Sequence, residues 1–296
     1  MAGNHHSMRS EKEMLELILN TAKEDERIRA VIMNGSRVDP NAPRDIFQDF
    51  DIVYVVTDVA SFVHDYNWIK RFGEMMIMQM PEDMQDPPGQ NDGSFTYLMQ
   101  FSDGNRIDLG LVPVENINKL ENDSLSVLLL DKDGIFKPFP PPSDIDYLPK
   151  PPSAKQFFDC CNEFWWVCPY VAKGLWRDEL SYVKFMFERT VKDQLMKMLT
   201  WHIGVKTEFS KSPGKLGKYL NKYLEPELWD MFVKTYPDAD SENIWRALFT
   251  MCDLFRESAT YVADHFGFDY PHGDDKRVAA HLEHVRNLPK DAKDMY

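Results

Sequence analysis

The stretch MNGSRVDPNAPRDIFQDFDIVYVV, Met33 to Val56, decides the fold. It reads as a strand ending at a Gly35-Ser36 turn, a loop, and a second strand, DFDIVYVV, opened by two carboxylates. Residues two apart in a strand share a face. Asp49 and Asp51 therefore point the same way, and Phe50 turns to the other side. Two carboxylates aimed at one spot repel unless a cation lies between them. Magnesium binds through one or two carboxylates together with substrate phosphates, the arrangement such a pair offers. A glycine-serine turn brings backbone donors and a hydroxyl close to a phosphate.

The D-x-D pattern alone is weak, because it occurs four times: Asp49/Asp51, Asp131/Asp133, Asp144/Asp146 and Asp238/Asp240. Only the first leads into a β-branched apolar run, and only the first follows a Gly-Ser turn that ends a strand. A third acid, Asp108, lies inside NRIDLGLV. A strand there turns Asp108 away from Ile107 and Leu109, and it is expected to join the same cluster. Arg37 and Arg44 flank the pair and suit phosphate neutralisation.

Outward from this stretch, the spacing predicts a helix over Ser10–Glu26, with Met14, Leu17, Ile18 and Thr21 on one face. IRAVIMNGS reads as a strand. Val59–Met78 reads as helical. SFTYLMQFSDGNRIDLGLVPV reads as two strands joined at Asp103-Gly104. This order suits an α+β domain around a small mixed sheet. KPFPPPSDIDYLPKPP then packs seven prolines into Pro138–Pro152. Proline lacks the backbone donor and fixes its own φ, which predicts a linker or an extended crossing. Beyond it the pattern is helical: Ser153–Lys173, Asp178–Ile203, Gly214–Tyr223, Pro226–Thr235, Glu242–Phe266 and Asp275–Asn287. The expected organisation is a nucleotide-handling domain over 8–137, a proline-rich linker over 138–152 and a helical substrate-binding domain over 153–296.

The 296 residues carry 48 acidic and 34 basic side chains, a net charge of −14. That opposes a nucleic-acid partner, which needs a basic face, and is compatible with a cationic substrate. No apolar run is long enough to span a bilayer, and the start lacks the apolar stretch of a signal peptide. Cys160, Cys161, Cys168 and Cys252 make no CxxC pair and read as reduced thiols of a cytoplasmic protein.

In the second half, Lys215, Lys218 and Lys222 would share one face of the Gly214–Tyr223 helix. Lys215 at its start and Lys218 beside it are candidate nucleotide contacts. NEFWWVCPYVAKGLW puts Glu163, Trp166 and Tyr170 on one helical face. An acid beside aromatic rings suits a guanidinium or ammonium ligand. Asp178, Glu179 and Tyr182 are similar candidates. Trp165 could serve likewise, although aromatic stripes are more often core. His202 reads as a core histidine.

Gly35-Ser36, Asp49-x-Asp51 on a strand and a later strand aspartate resemble the nucleotidyltransferase superfamily that includes DNA polymerase β. More narrowly, MNGSRVDPN, FQDFDIVYVVTDV, MQMPEDM, DGNRIDLGLVP, FFDCCNEFWWVCPYVAKGLWRDE and MLTWHI are similar to the aminoglycoside 6-adenylyltransferases, over about Met8 to His272. Gly110 stands where that pattern expects threonine. The resemblance implies a polymerase β-like domain with a mixed sheet plus a C-terminal helical domain. It implies transfer of AMP from ATP to a hydroxyl of streptomycin, releasing pyrophosphate and conferring resistance. Asp49 and Asp51 would hold Mg2+, Gly35 and Ser36 the triphosphate, and Asp108 would complete the acid cluster. Streptomycin carries two guanidinium groups, which the acidic aromatic face would meet. The alternatives are another antibiotic as acceptor, or a non-catalytic nucleotide-binding regulator of the same fold. A monomer is expected.

Overall fold

A computed structural model describes residues 7–89, 92–120 and 123–296. The chain divides into two compact units, Met1–Asp146 and Tyr147–Tyr296.

In the first unit, helix α1 (Glu11–Glu24) starts at a capping box. Ser10 accepts from the Glu13 backbone while the Glu13 carboxylate accepts from the Ser10 backbone, which satisfies two otherwise orphaned donors. The helix buries Met14, Ile18, Thr21 and Ala22. Strand β1 (Ile28–Asn34) follows, then β2 (Phe50–Val56), β3 (Met75–Gln79), β4 (Phe95–Phe101), β5 (Arg106–Pro113) and β6 (Ser126–Asp131). They form one six-stranded sheet among the described residues, in the order β3-β4-β5-β2-β1-β6. β2 and β5 run parallel, and the other neighbours are antiparallel.

The strand period sorts the two faces of β2. Phe50, Ile52 and Tyr54 lie in the same core cluster as Met14 and Ile18 of α1, and the Tyr54 hydroxyl donates to the Ile18 carbonyl at 2.6 Å. Val53 and Val55 face the other way, against a small cluster built around Phe136. Asp51 shares that second face, where the sheet emerges from its apolar cover.

Two features of this unit differ from the sequence reading. The predicted helix over Val59–Met78 is instead a short helix α2 (Tyr66–Ile69), a 3-10 turn over Lys70–Phe72, and strand β3. Gly73, at φ +133°, ends the helical path. Met75–Gln79 then finds backbone partners along β4, and sheet pairing overrides the helical propensity of methionine. β6 is the second difference; nothing in LSVLLLD had been read as a strand.

The second unit is helical. Ser153 and Gln156 form a capping box that opens α3 (Ala154–Trp176). Next come α4 (Leu180–Phe185), a π-helical turn (Met186–Val191) and α5 (Lys192–Lys206). The order closes with α6 (Leu220–Tyr223), α7 (Pro226–Lys234), α8 (Ser241–Phe266) and α9 (His272–Asn287). Phe164 on α3 stacks on Phe255 of α8, with centroids 3.7 Å apart. Arg256 grips Asp275 with two bonds of 2.6 Å. Asp275 accepts from the Tyr270 hydroxyl, which in turn accepts from the Trp165 indole. All four cysteines are buried, and none is joined to another.

Candidate active site

The carboxylates meet through strand register. Asp51 on β2 lies opposite Asp108 on the parallel strand β5, and Phe50 opposite Ile107. Continuing that register puts Asp49 opposite Arg106. One oxygen from each of Asp49, Asp51 and Asp108 can be chosen so that all three lie within 4.8 Å of one another, and all three residues are half-buried. Each like-charge pair at that distance costs about 3 kcal/mol at an effective dielectric near 20, before solvent screening.

Gly35 closes one side of this cluster. It sits at φ +77°, in the left-handed region. A Cβ added there would lie 2.0 Å from Asp51 Oδ2. Glycine is thus required twice, for its backbone angle and for the approach of the carboxylate. Gly35 opens a 3-10 turn, Gly35–Arg37, and the Ser36 carbonyl accepts from Gln48 Nε2 at 3.1 Å.

Arg37, read from sequence as a phosphate contact, is buried. Its guanidinium donates to the carbonyl oxygens of Gln48, at 2.5 Å, and Asp49, at 3.1 Å. It lies 3.8 Å over the Phe50 ring. These bonds brace the backbone that carries Asp49. Arg44 lies exposed in the loop between the glycine turn and Asp49.

Arg106 was not singled out in the sequence. It stands two residues before Asp108 on the same face of β5, so strand alternation held the signal. Its Nε and Nη2 donate to the two oxygens of Asp108, both at 2.7 Å. Nε also lies 3.8 Å from Asp49 Oδ2. The hydrogen bonds that Arg106 donates to Asp108 raise its pKa further above its ordinary value, with the charges of Asp108, Asp49 and Asp51 adding attraction. The cluster already attracts one cation. Three carboxylates that bring an oxygen each within 4.8 Å of one another form a hard oxygen donor set, and such a set fits a divalent metal ion.

The other three D-x-D pairs are structural. Asp131 accepts from the backbone of Ile135 and Phe136, and Asp133 pairs with Arg29. Asp144 and Asp146 accept from Asn41 and Ser124. Asp240 caps α8 and Asp238 holds Asn243.

In the helical unit, the predicted Gly214–Tyr223 helix does not form as one element. Gly214, Leu216 and Gly217 all have positive φ, so a 3-10 turn over Lys215–Gly217 precedes the short α6. The lysines therefore make no helical stripe. Lys218 and Lys222 converge on the Tyr219 ring at 5.0 and 4.3 Å, and Lys215 is exposed.

Trp165 is core, whereas Trp166 is 61% exposed. Trp166 meets Tyr170 edge-on, with centroids 6.4 Å apart. Both line a cleft of about 410 Å³ with Asn162, Pro169, Asp274 and Arg277. Glu163 is exposed on the same helix. Asp178, Glu179 and Tyr182 line a separate open groove of about 800 Å³ with Lys173 and Arg177, and Asp178 pairs with Lys290 at 2.8 Å. His202 is buried against Glu225 at 3.1 Å and beside Tyr261.

The sequence profile of the streptomycin adenylyltransferases matches residues 8–285. The chain belongs to the streptomycin adenylyltransferase family. It is a nucleotidyltransferase enzyme, and the resemblance carried by its motifs is borne out. It is 44% identical to the aminoglycoside 6-adenylyltransferase of Campylobacter jejuni, over 91% of this chain and 93% of that one. It is 40% identical to the Bacillus subtilis (strain 168) aminoglycoside 6-adenylyltransferase, over 90% and 95%. A crystal structure of an aminoglycoside 6-adenyltransferase from Bacillus subtilis is 35% identical, with TM-score 0.47, covering 95% of this chain and 100% of that one. No helix among the described residues is long and apolar enough to cross a membrane.

Proposed function

We propose that the chain transfers AMP from ATP to a hydroxyl of an aminoglycoside, with the 6-position of streptomycin as the acceptor, and so confers resistance. The observation that carries this reading is the Asp49, Asp51 and Asp108 cluster on adjacent strands beside Gly35. The acceptor oxygen attacks the α-phosphorus, the bond to the β-phosphate oxygen breaks, and pyrophosphate leaves. The hydroxyl proton passes to a base, a role we give in part to Asp108. Mg2+, held by Asp49, Asp51 and Asp108, would neutralise charge on the triphosphate and on the leaving pyrophosphate.

Gly35 and Ser36 are assigned to the triphosphate, with Arg44, Lys215 and Lys218 as further phosphate contacts. Arg37 contributes by holding the Asp49 backbone. The first unit, with the linker, handles nucleotide. The helical unit binds the antibiotic, through Glu163, Trp166 and Tyr170 and through Asp178, Glu179 and Tyr182. Exposed aromatic and acidic groups support that assignment, since guanidinium groups bind both. A monomeric, cytoplasmic enzyme completes the reading.

The test is incubation with ATP, Mg2+ and a panel of aminoglycosides, with products weighed by mass spectrometry. Streptomycin should gain one AMP, and kanamycin-type compounds without the streptidine ring should gain none. Modification of kanamycin but not streptomycin would overturn the acceptor while leaving the chemistry. No transfer to any member would overturn the function.

A further inference from the structure

We infer that Arg106 is the resting counter-ion of the carboxylate cluster and an exchangeable partner for phosphate, so that the site favours a metal–nucleotide complex over bare metal. The inference rests on the metal-binding reading of Asp49, Asp51 and Asp108 given above.

The geometry is specific. The guanidinium fork takes both oxygens of Asp108 at 2.7 Å and reaches toward Asp49 at 3.8 Å. The fork fills one lone pair on each Asp108 oxygen, so a metal ion that enters on that side displaces at least one charge-assisted hydrogen bond, the stronger class. The Arg106 side chain is 45% exposed, against 21% for Asp108 and 29% for Asp49. It thus sits at the outer rim of the cluster, with water available to it when it lets go. Its position at the first residue of β5 fixes the Cα on the sheet, while the long side chain keeps its freedom beyond. A released guanidinium matches phosphate oxygens with the same planar fork that it offers to a carboxylate.

Bare metal entering on the fork's side breaks an Arg106–Asp108 bond and leaves the guanidinium only water and the more distant Asp49 carboxylate. Metal arriving with a triphosphate lets Arg106 exchange a carboxylate for a phosphate. Binding of the two is thereby coupled through one side chain, which acts as a positioning residue.

The experiment uses the full chain and Mn2+ as probe, followed by electron paramagnetic resonance, first alone and then with ATP in the absence of acceptor. Arg106→Gln should bind Mn2+ alone about fivefold more tightly than the wild type, the upper size for a pair this exposed to solvent. The same variant should bind Mn2+–ATP more weakly than the wild type. Arg106→Lys, which keeps the charge without the fork, should fall between the two and guards against a folding defect in the glutamine variant. As a second readout, Arg106→Gln should melt lower than wild type without metal, and added Mg2+ should recover more of its melting temperature than it adds to the wild type. Unchanged Mn2+ affinity in Arg106→Gln, or an equal gain with and without ATP, overturns the inference while leaving the metal site. Absence of Mn2+ binding in every form, matched by an Asp49→Asn control, overturns the metal reading and the inference with it.

Discussion

Replacing Gly35 with alanine tests whether the cluster is held as tightly as the structure describes. The added Cβ would sit 2.0 Å from Asp51 Oδ2 and 3.0 Å from Asp51 Cγ. Contacts of this kind are not found below 3.0 Å, so the carboxylate must retreat by about 1 Å, and a displacement of that size near reacting groups costs on the order of 10²-fold in rate. Alanine at φ +77° adds backbone strain of about 1–2 kcal/mol. For a unit of this size that lowers the melting temperature by roughly 2–4 °C per kcal/mol. Gly134 supplies the control. It also has positive φ, +64°, but a Cβ there meets nothing within 4 Å. Gly134→Ala should share the loss of stability and keep full activity. The assay is kcat/KM for AMP transfer beside thermal melting of both variants. A folded Gly35→Ala protein with near-wild-type kcat/KM would refute the reasoning, and so would an equal loss of activity in Gly134→Ala.

Three further outcomes are expected. Asp49→Asn and Asp51→Asn should each lower turnover by orders of magnitude while circular dichroism shows the fold retained and metal-free melting is at or above wild type, because each removes a charge of the proposed metal site, and its repulsion, without changing shape. Trp165→Ala should destabilise the helical unit by about 3–5 kcal/mol in denaturant melts, whereas Trp166→Ala should leave stability unchanged and raise the KM for the antibiotic. Burial opposes ionisation of Asp103, but hydrogen bonds from Arg9 and Asn105 outweigh it and hold the carboxyl well below its ordinary range. A depressed carboxyl contributes stability above its unfolded pKa and loses it as pH falls through the folded one. Asp103→Asn should therefore melt below wild type at neutral pH, with the gap narrowing below about pH 4.

The carboxylate cluster was legible because strand alternation is local. Asp49-x-Asp51 before IVYVV and Asp108 between Ile107 and Leu109 each declare their own face. The pairing of β2 with β5 carries no such local mark, so alternation gives the meeting of the three acids only as an expectation, and strand register supplies it. Arg106 obeyed the same alternation and was passed over because a cation beside acids reads as surface charge. The helix expected over Val59–Met78 failed where MMIMQ fits either state and β4 decides. The lysine stripe failed because two glycines, Gly214 and Gly217, together with Leu216, take left-handed backbone angles that period counting does not weigh. Arg37 looked like a phosphate ligand beside a glycine turn. Its burial over Phe50 depends on a side-chain path that sequence spacing does not encode.

The parallel pairing of β2 with β5 also bears on how the protein reaches its folded state. The strands β4 and β5 form a hairpin through the Asp103-Gly104 turn, a contact that closes a short loop. Docking that hairpin on β2 joins Asp51 to Asp108, 57 residues apart by number (108 − 51), and pays the larger closure entropy. It is also the step that brings three carboxylates together around the one guanidinium of Arg106. A chain with the hairpin made and the docking unmade keeps its acids apart in water, and the sequence-distant pairing slows the final closure of the sheet. A ligand that binds only the assembled cluster pulls this step forward by mass action. A divalent cation bound to the cluster as proposed would act on the yield of folded chains before it acts on any substrate.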